Sequence, residues 1–143
     1  MAHVISKQAE RVFRSAIAKI PANEGHITIG EQGQAYMPLR VECVGTIKHG
    51  TPGNEIAYKL YSFAHYYEQN GDWMSDPEMI FEDIGEHGMI PVSSRQDSLG
   101  VYNEVYAFDE KTGCVSGIRL KLRQDLVKFA NMWAKNLKEQ QDL

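Results

Sequence analysis

Basic residues are almost missing from one long stretch of this chain: between Glu68 and Glu110, Arg95 stands alone against eleven Asp and Glu side chains. The 143 residues hold 19 acidic and 15 Lys or Arg side chains in all, so eight acids and fourteen bases remain elsewhere. A segment of −10 therefore sits between flanks that sum to +6, and the net charge of −4 conceals a polarised molecule. Such a field steers a basic partner or attracts a cation without specifying either. Cysteine is scarce as well. Cys43 and Cys114 fall outside any CxxC or CxxH spacing, which argues against a disulfide framework or a zinc finger and fits a reducing compartment. No run approaches the roughly 18 apolar residues that span a bilayer, and the first twenty positions mix Lys7, Glu10, Arg11, Arg14 and Lys19 with apolar residues. The expectation is a soluble, cytoplasmic protein with no membrane partner. There is no internal repeat, linker or low-complexity tract, and with 43% apolar residues the chain is read as one domain over residues 1–143.

What is present reads as an α+β fold. Ile5, Ala9, Val12, Phe13, Ala16, Ile17 and Ile20 recur at helical spacing over residues 3–20, and Pro21 ends the pattern. Extended runs follow at 26–30 and 35–48, with Gly30-Glu31-Gln32-Gly33 as the turn between them. Rings and β-branched residues over 56–67 predict a central strand. Further strands are expected at 79–84, 89–93 and 101–108, with Pro91 suited to an edge. A short strand to about Ile118 then gives way to a long helix whose stripe is Leu122, Leu126, Phe129, Ala130, Trp133 and Leu137. The sum is an antiparallel meander of five to seven strands, with an N-terminal and a long C-terminal helix packed on one face and a polar tail over 138–143 that frays.

His65, Asp72, Asp76 and Glu78 have the residue types of a hard-metal site, in which carboxylates gather charge around an ion such as Mg²⁺ that activates water. Their spacing matches no motif that fixes such a geometry. Turn chemistry explains them separately: Asn70-Gly71 is a turn signal, and Ser75-Asp76-Pro77-Glu78 reads as a helix start capped by Asp76. His65, among Phe63, Tyr66 and Tyr67, reads as a hydrogen-bonded core group before it reads as a general base. Tyr58, Tyr61, Tyr66, Tyr67, Tyr102 and Tyr106 could stack nucleic-acid bases, but the acidic surroundings repel phosphate, so buried strand aromatics are expected and direct nucleic-acid binding is not. Residues 93–98 form a hydroxyl-rich loop with no GxSxG elbow, in which Arg95 should pair with Asp97 or Glu104. Gly50-Thr51-Pro52-Gly53 lacks the lysine and following helix of a phosphate-binding loop. The stripe Phe129, Trp133, Leu137 reads as core before it reads as a partner surface.

Three blocks carry a resemblance: residues 65–72 (HYYEQNGD) with 76–79 (DPEM), residues 91–102 from Pro91-Val92-Ser93 through Gly100-Val101-Tyr102, and residues 129–138 from Phe129-Ala130-Asn131-Met132-Trp133 to Lys138. Together they resemble an uncharacterised domain family met on bacterial phages, plasmids and integrative elements. The resemblance implies a bacterial host cell and supplies no catalytic residues. In that setting the acidic segment suggests a non-enzymatic accessory protein that occupies the Lys/Arg groove of a nucleic-acid-processing or defence complex, for example as an anti-CRISPR or anti-restriction inhibitor. The contact residues expected are Asp72, Asp76, Glu78, Glu82, Asp83 and Glu86, with Trp73 as aromatic anchor and no cofactor. The alternative from another class is a metal-dependent hydrolase or nuclease built on His65, Asp72, Asp76 and Glu78. A third is a homo-oligomer in which basic ends meet the acidic middle of a neighbour.

Overall fold

A computed structural model describes residues 3–31 and 36–143. The elements run α1 (Lys7–Ile17), β1 (His26–Ile29), β2 (Leu39–His49), β3 (Ile56–Gln69), β4 (Asp72–Asp83), β5 (Met89–Gln96), β6 (Val101–Glu104), β7 (Tyr106–Phe108), β8 (Val115–Ile118) and α2 (Leu120–Gln141). Strands β1 to β6 form one antiparallel sheet in sequence order, a meander, while β7 and β8 make a separate two-stranded sheet. The fold is α+β, as the periodicities predict, with the last strands split between two sheets. No helix among the described residues is long and apolar enough to cross a membrane.

Helix α1 begins later than its apolar pattern suggests because Ser6 caps it, the hydroxyl accepting from the Ala9 amide at 3.1 Å. Residues before the cap are held by the sheet instead, since the Ile5 amide donates to the Met89 carbonyl. Phe13 on the buried stripe of α1 lies 4.8 Å from the Phe63 ring, 4.7 Å from Phe81 and 6.0 Å from Trp133 of α2, so one aromatic side chain joins both helices to β3 and β4. The polar tail does not fray as expected: α2 continues to Gln141, whose Nε2 donates to the Met37 carbonyl at 2.9 Å.

Two expectations fail around the acidic segment. Strand β4 starts at Asp72 and not near residue 79, because the Asn70-Gly71 turn, with φ of 54° and 86°, closes a two-residue hairpin and pairs Gln69 with Asp72. The predicted helix start at 75–78 is therefore strand. Asp76 and Pro77, joined by a cis peptide, form a bulge opposite His65, where a residue without an N–H costs the ladder nothing. Pro91 lies in β5 outside the portion that β6 pairs, which spans Ser93 to Gln96, but that side is covered, since the Ile5 and Val105 amides donate to the Met89 and Val92 carbonyls on either side of it. The strand expected over 101–108 breaks at Val105, whose amide donates to Val92 while its carbonyl accepts from Arg119. Strand β2 begins at Leu39; Gln32, Gly33 and Ala35 of the predicted turn and strand start lie outside the described residues.

Candidate functional site: an open sheet face and a projecting hairpin

Strand alternation sends Val41, Phe63 and Met79 toward the helices and the residues between them to the other side. Across that second side one register row reads Thr28, Arg40, Ala64, Glu78, Arg95, Tyr102. The next row reads His26, Glu42, Ser62, Ile80, Ser93, Glu104. Charges of both signs interleave there. Glu78 Oε2 accepts from Ser62 Oγ at 3.3 Å and from the Tyr66 hydroxyl at 3.2 Å, and Arg40 lies 3.5 Å from Glu42. Burial, followed by the nearby Glu78 carboxylate, raises the Tyr66 pKa. Arg95 stacks over Tyr102 at 4.9 Å and lies 3.8 Å from Asp97, one of the two partners expected for it.

The hairpin formed by β3 and β4 outruns its neighbours. The pairing of β2 with β3 ends at His65, and that of β5 with β4 ends at Glu78. Among the described residues, 66–69 and 72–75 thus pair only with each other within the sheet, a two-stranded arm roughly 13 Å long at the usual rise per residue. Trp73 on this arm is 62% exposed. At the arm's base a recess of about 440 Å³ is lined by Thr28, Gly30, Pro38, Arg40, Tyr66 and Trp73.

Residues 7–143 match a family described as a domain of unknown function, DUF6908. The chain belongs to this family. No curated protein and no solved structure matches it.

In this DUF6908 domain the acids singled out in the sequence do not make one surface. Asp72 is exposed on the arm, and Glu86 is 89% exposed in the β4–β5 connection at the far end of a 12-residue strand. Glu78 faces the open side. Asp83 faces α1, where Arg14 donates to its Oδ1 at 3.0 Å. Burial opposes ionisation of Asp83, but the Arg14 hydrogen bond and the Gly85 amide outweigh it and lower its pKa. Asp76 and Asp97 are structural: Asp76 accepts from Ser98 Oγ and Asp97 from the Ser75 amide, each at 2.7 Å, which clamps the turn at 97–99 to β4.

Glu82 cannot be a contact residue, because it is 1% exposed. Its Oε1 accepts from the Tyr106 hydroxyl at 2.6 Å and its Oε2 lies 2.7 Å from His49 Nε2. Burial first, then the Glu82 hydrogen bond, pushes the Tyr106 pKa well above its ordinary value. Arg123 of α2 also acts on Tyr106, and its Nε is buried without a partner among the described residues. Nothing local to the sequence announces this cluster, since its partners lie 33 and 24 residues from Glu82.

The four residues of the metal alternative do not converge. His65 points to the helices, its Nδ1 donating to the Pro38 carbonyl at 3.1 Å and its ring edge meeting Trp133 at 5.6 Å. Asp76 is engaged by Ser98, Glu78 lies on the open face and Asp72 sits on the arm. Among the described residues no group of three or more His, Cys, Asp or Glu side chains is disposed to hold a metal ion.

Proposed function

We propose that the protein works by binding a partner protein through the projecting arm and the adjoining open sheet face. The observation that carries this reading is Trp73: a large apolar side chain 62% exposed on an arm that, among the described residues, has no neighbouring strand, beside a recess lined by Pro38 and Tyr66. Exposed aromatics of this kind supply binding energy when a partner covers them. Glu68 and Asp72 flank Trp73 without a basic residue on the arm, so the partner surface is basic. The contact set contracts from the sequence reading to Asp72, Trp73 and Glu78, joined by Tyr66 and Arg40. The resemblance to mobile-element proteins supports a wider setting for the same reading: an accessory protein of a phage or plasmid that blocks a nucleic-acid-processing or defence complex in its bacterial host.

Capture of proteins from host lysate on the immobilised chain, after nuclease treatment and at low and high salt, tests it. A basic protein retained at low salt and released at high salt is expected, with Trp73→Ala weakening retention by about tenfold or more. Retention that is unchanged by Trp73→Ala and by Asp72→Lys, in variants that melt like the parent, would sink the assignment of the arm.

A further inference from the structure

On the opposite side of the molecule the two helices leave a groove between them, with a volume of about 670 Å³. Ala9, Val12 and Ala134, all nearly buried, form its floor. Its charged side chains are Arg11, Lys135 and Lys138, and no acidic side chain lines it among the described residues. None of the three cations takes part in an ion pair among those residues, although Lys7, Arg14 and Lys121 of the same helices do. The groove, which Leu143 also lines, therefore offers an apolar floor under a rim whose charged side chains are all positive. The arm offers the converse, an exposed indole flanked by Glu68 and Asp72.

We infer that the groove between α1 and α2 is a docking site for the β3–β4 arm of a second copy of this chain. Trp73 enters over the Ala9, Val12 and Ala134 floor, where the rim cations also favour the face of an indole ring, and Glu68 and Asp72 meet Lys135, Lys138 and Arg11. Position favours a reciprocal exchange. The C-terminal end of α2 is tied to Met37, two residues from Leu39, and Leu39 pairs with His65 at the root of the arm. The C-terminal part of α2, one wall of the groove, thus lies toward the arm, while α1, the other wall, is bonded through Ile5 and Arg14 to the opposite end of β4 and β5. Two copies related by a two-fold axis can each place an arm in the other's groove, entering from its α2 side. The inference rests on the reading of the arm as a docking element and names one partner for it.

Molar mass in solution, from light scattering on a sizing column, tests this over a range of salt and protein concentrations. The full chain should be a dimer at low salt and dissociate as salt is raised, because the pairing charges lie at an exposed rim. The groove variant Lys135→Glu with Lys138→Glu and the arm variant Trp73→Ala with Asp72→Lys should each be monomeric, with association weakened about tenfold or more. All four positions are surface-accessible or at the rim, so unchanged melting temperatures report that the variants fold. Mixing the two variants should restore a heterodimer, since one junction keeps its native arm and groove and the reversed charges at the other remain complementary. A chain that stays monomeric at low salt up to its solubility limit, or a dimer that survives both variants, overturns the inference. Capture of a basic lysate protein by a monomeric chain, lost on Trp73→Ala, would overturn self-docking alone and leave the arm's binding role standing. Failure of both experiments would remove the arm reading as well.

Discussion

Glu82 shows how far a residue's surroundings can depart from its type. A carboxyl group in an acidic stretch of sequence is ordinarily solvated, yet this one is held between Tyr106 and His49 with almost no exposure. Tyr106→Phe removes one of its two side-chain partners while keeping the ring in place, and should cost about 1–3 kcal/mol of stability. Urea unfolding measures this, and a loss below a few tenths of a kcal/mol would mean that water replaces the hydroxyl. His65 gives a pH-dependent counterpart. Burial lowers its pKa from the ordinary 6.5, against the opposing effects of the Pro38 carbonyl and Asp76, so the folded state holds the neutral ring more firmly than the unfolded chain does. Its contribution is therefore fully present above pH 6.5 and is lost as the pH falls below that value. Thermal melts between pH 7 and pH 5 should show a decline that His65→Gln flattens; parallel declines in the two proteins would assign the effect to other groups.

At the scale of elements, the arm depends on its turn. Asn70 and Gly71 both have positive φ, and an added Cβ at Gly71 meets no atom within 4 Å, so Gly71→Ala is opposed by backbone conformation and not by a clash. A loss of about 1–2 kcal/mol is expected, with Gly71→Asn losing less because Asn tolerates the left-handed region. Equal unfolding midpoints for the two variants would contradict that assignment. This turn was legible in the sequence, as were the strand over 56–67 and the stripe of α2, because each is encoded by neighbours along the chain. The first half of β4 was not. Ser75, Asp76, Pro77 and Glu78 are the residue types that start helices, and they are equally those that serve a strand bulge; pairing with β3 decided between the two. Glu82 was misplaced for a related reason. Alternation in β4 shows that it faces away from Phe81, but only the distant Tyr106 and His49 make that side an interior.

At the scale of the whole molecule, the −10 segment does not act as one field-bearing patch. The fold spends its carboxyls on unlike tasks: Asp83 on Arg14 of α1, Asp76 and Asp97 on a turn clamp, Glu82 in the interior, and Asp72 and Glu78 on the side left open. Charge polarity in the sequence therefore survives in the structure mainly as a contrast between the arm and the helical groove. That groove has a history as well as a position. The six sheet strands pair with their neighbours in the chain, contacts that close short loops, whereas α1 meets α2 across the length of the chain, as where the Ser6 amide donates to Asn131, 125 residues away. Loop closure alone therefore predicts that the arm forms before its proposed receptor. On that order of events a chain still folding would offer its arm to a finished molecule before it could receive one, and pairing of copies would itself certify that the receiving chain has closed.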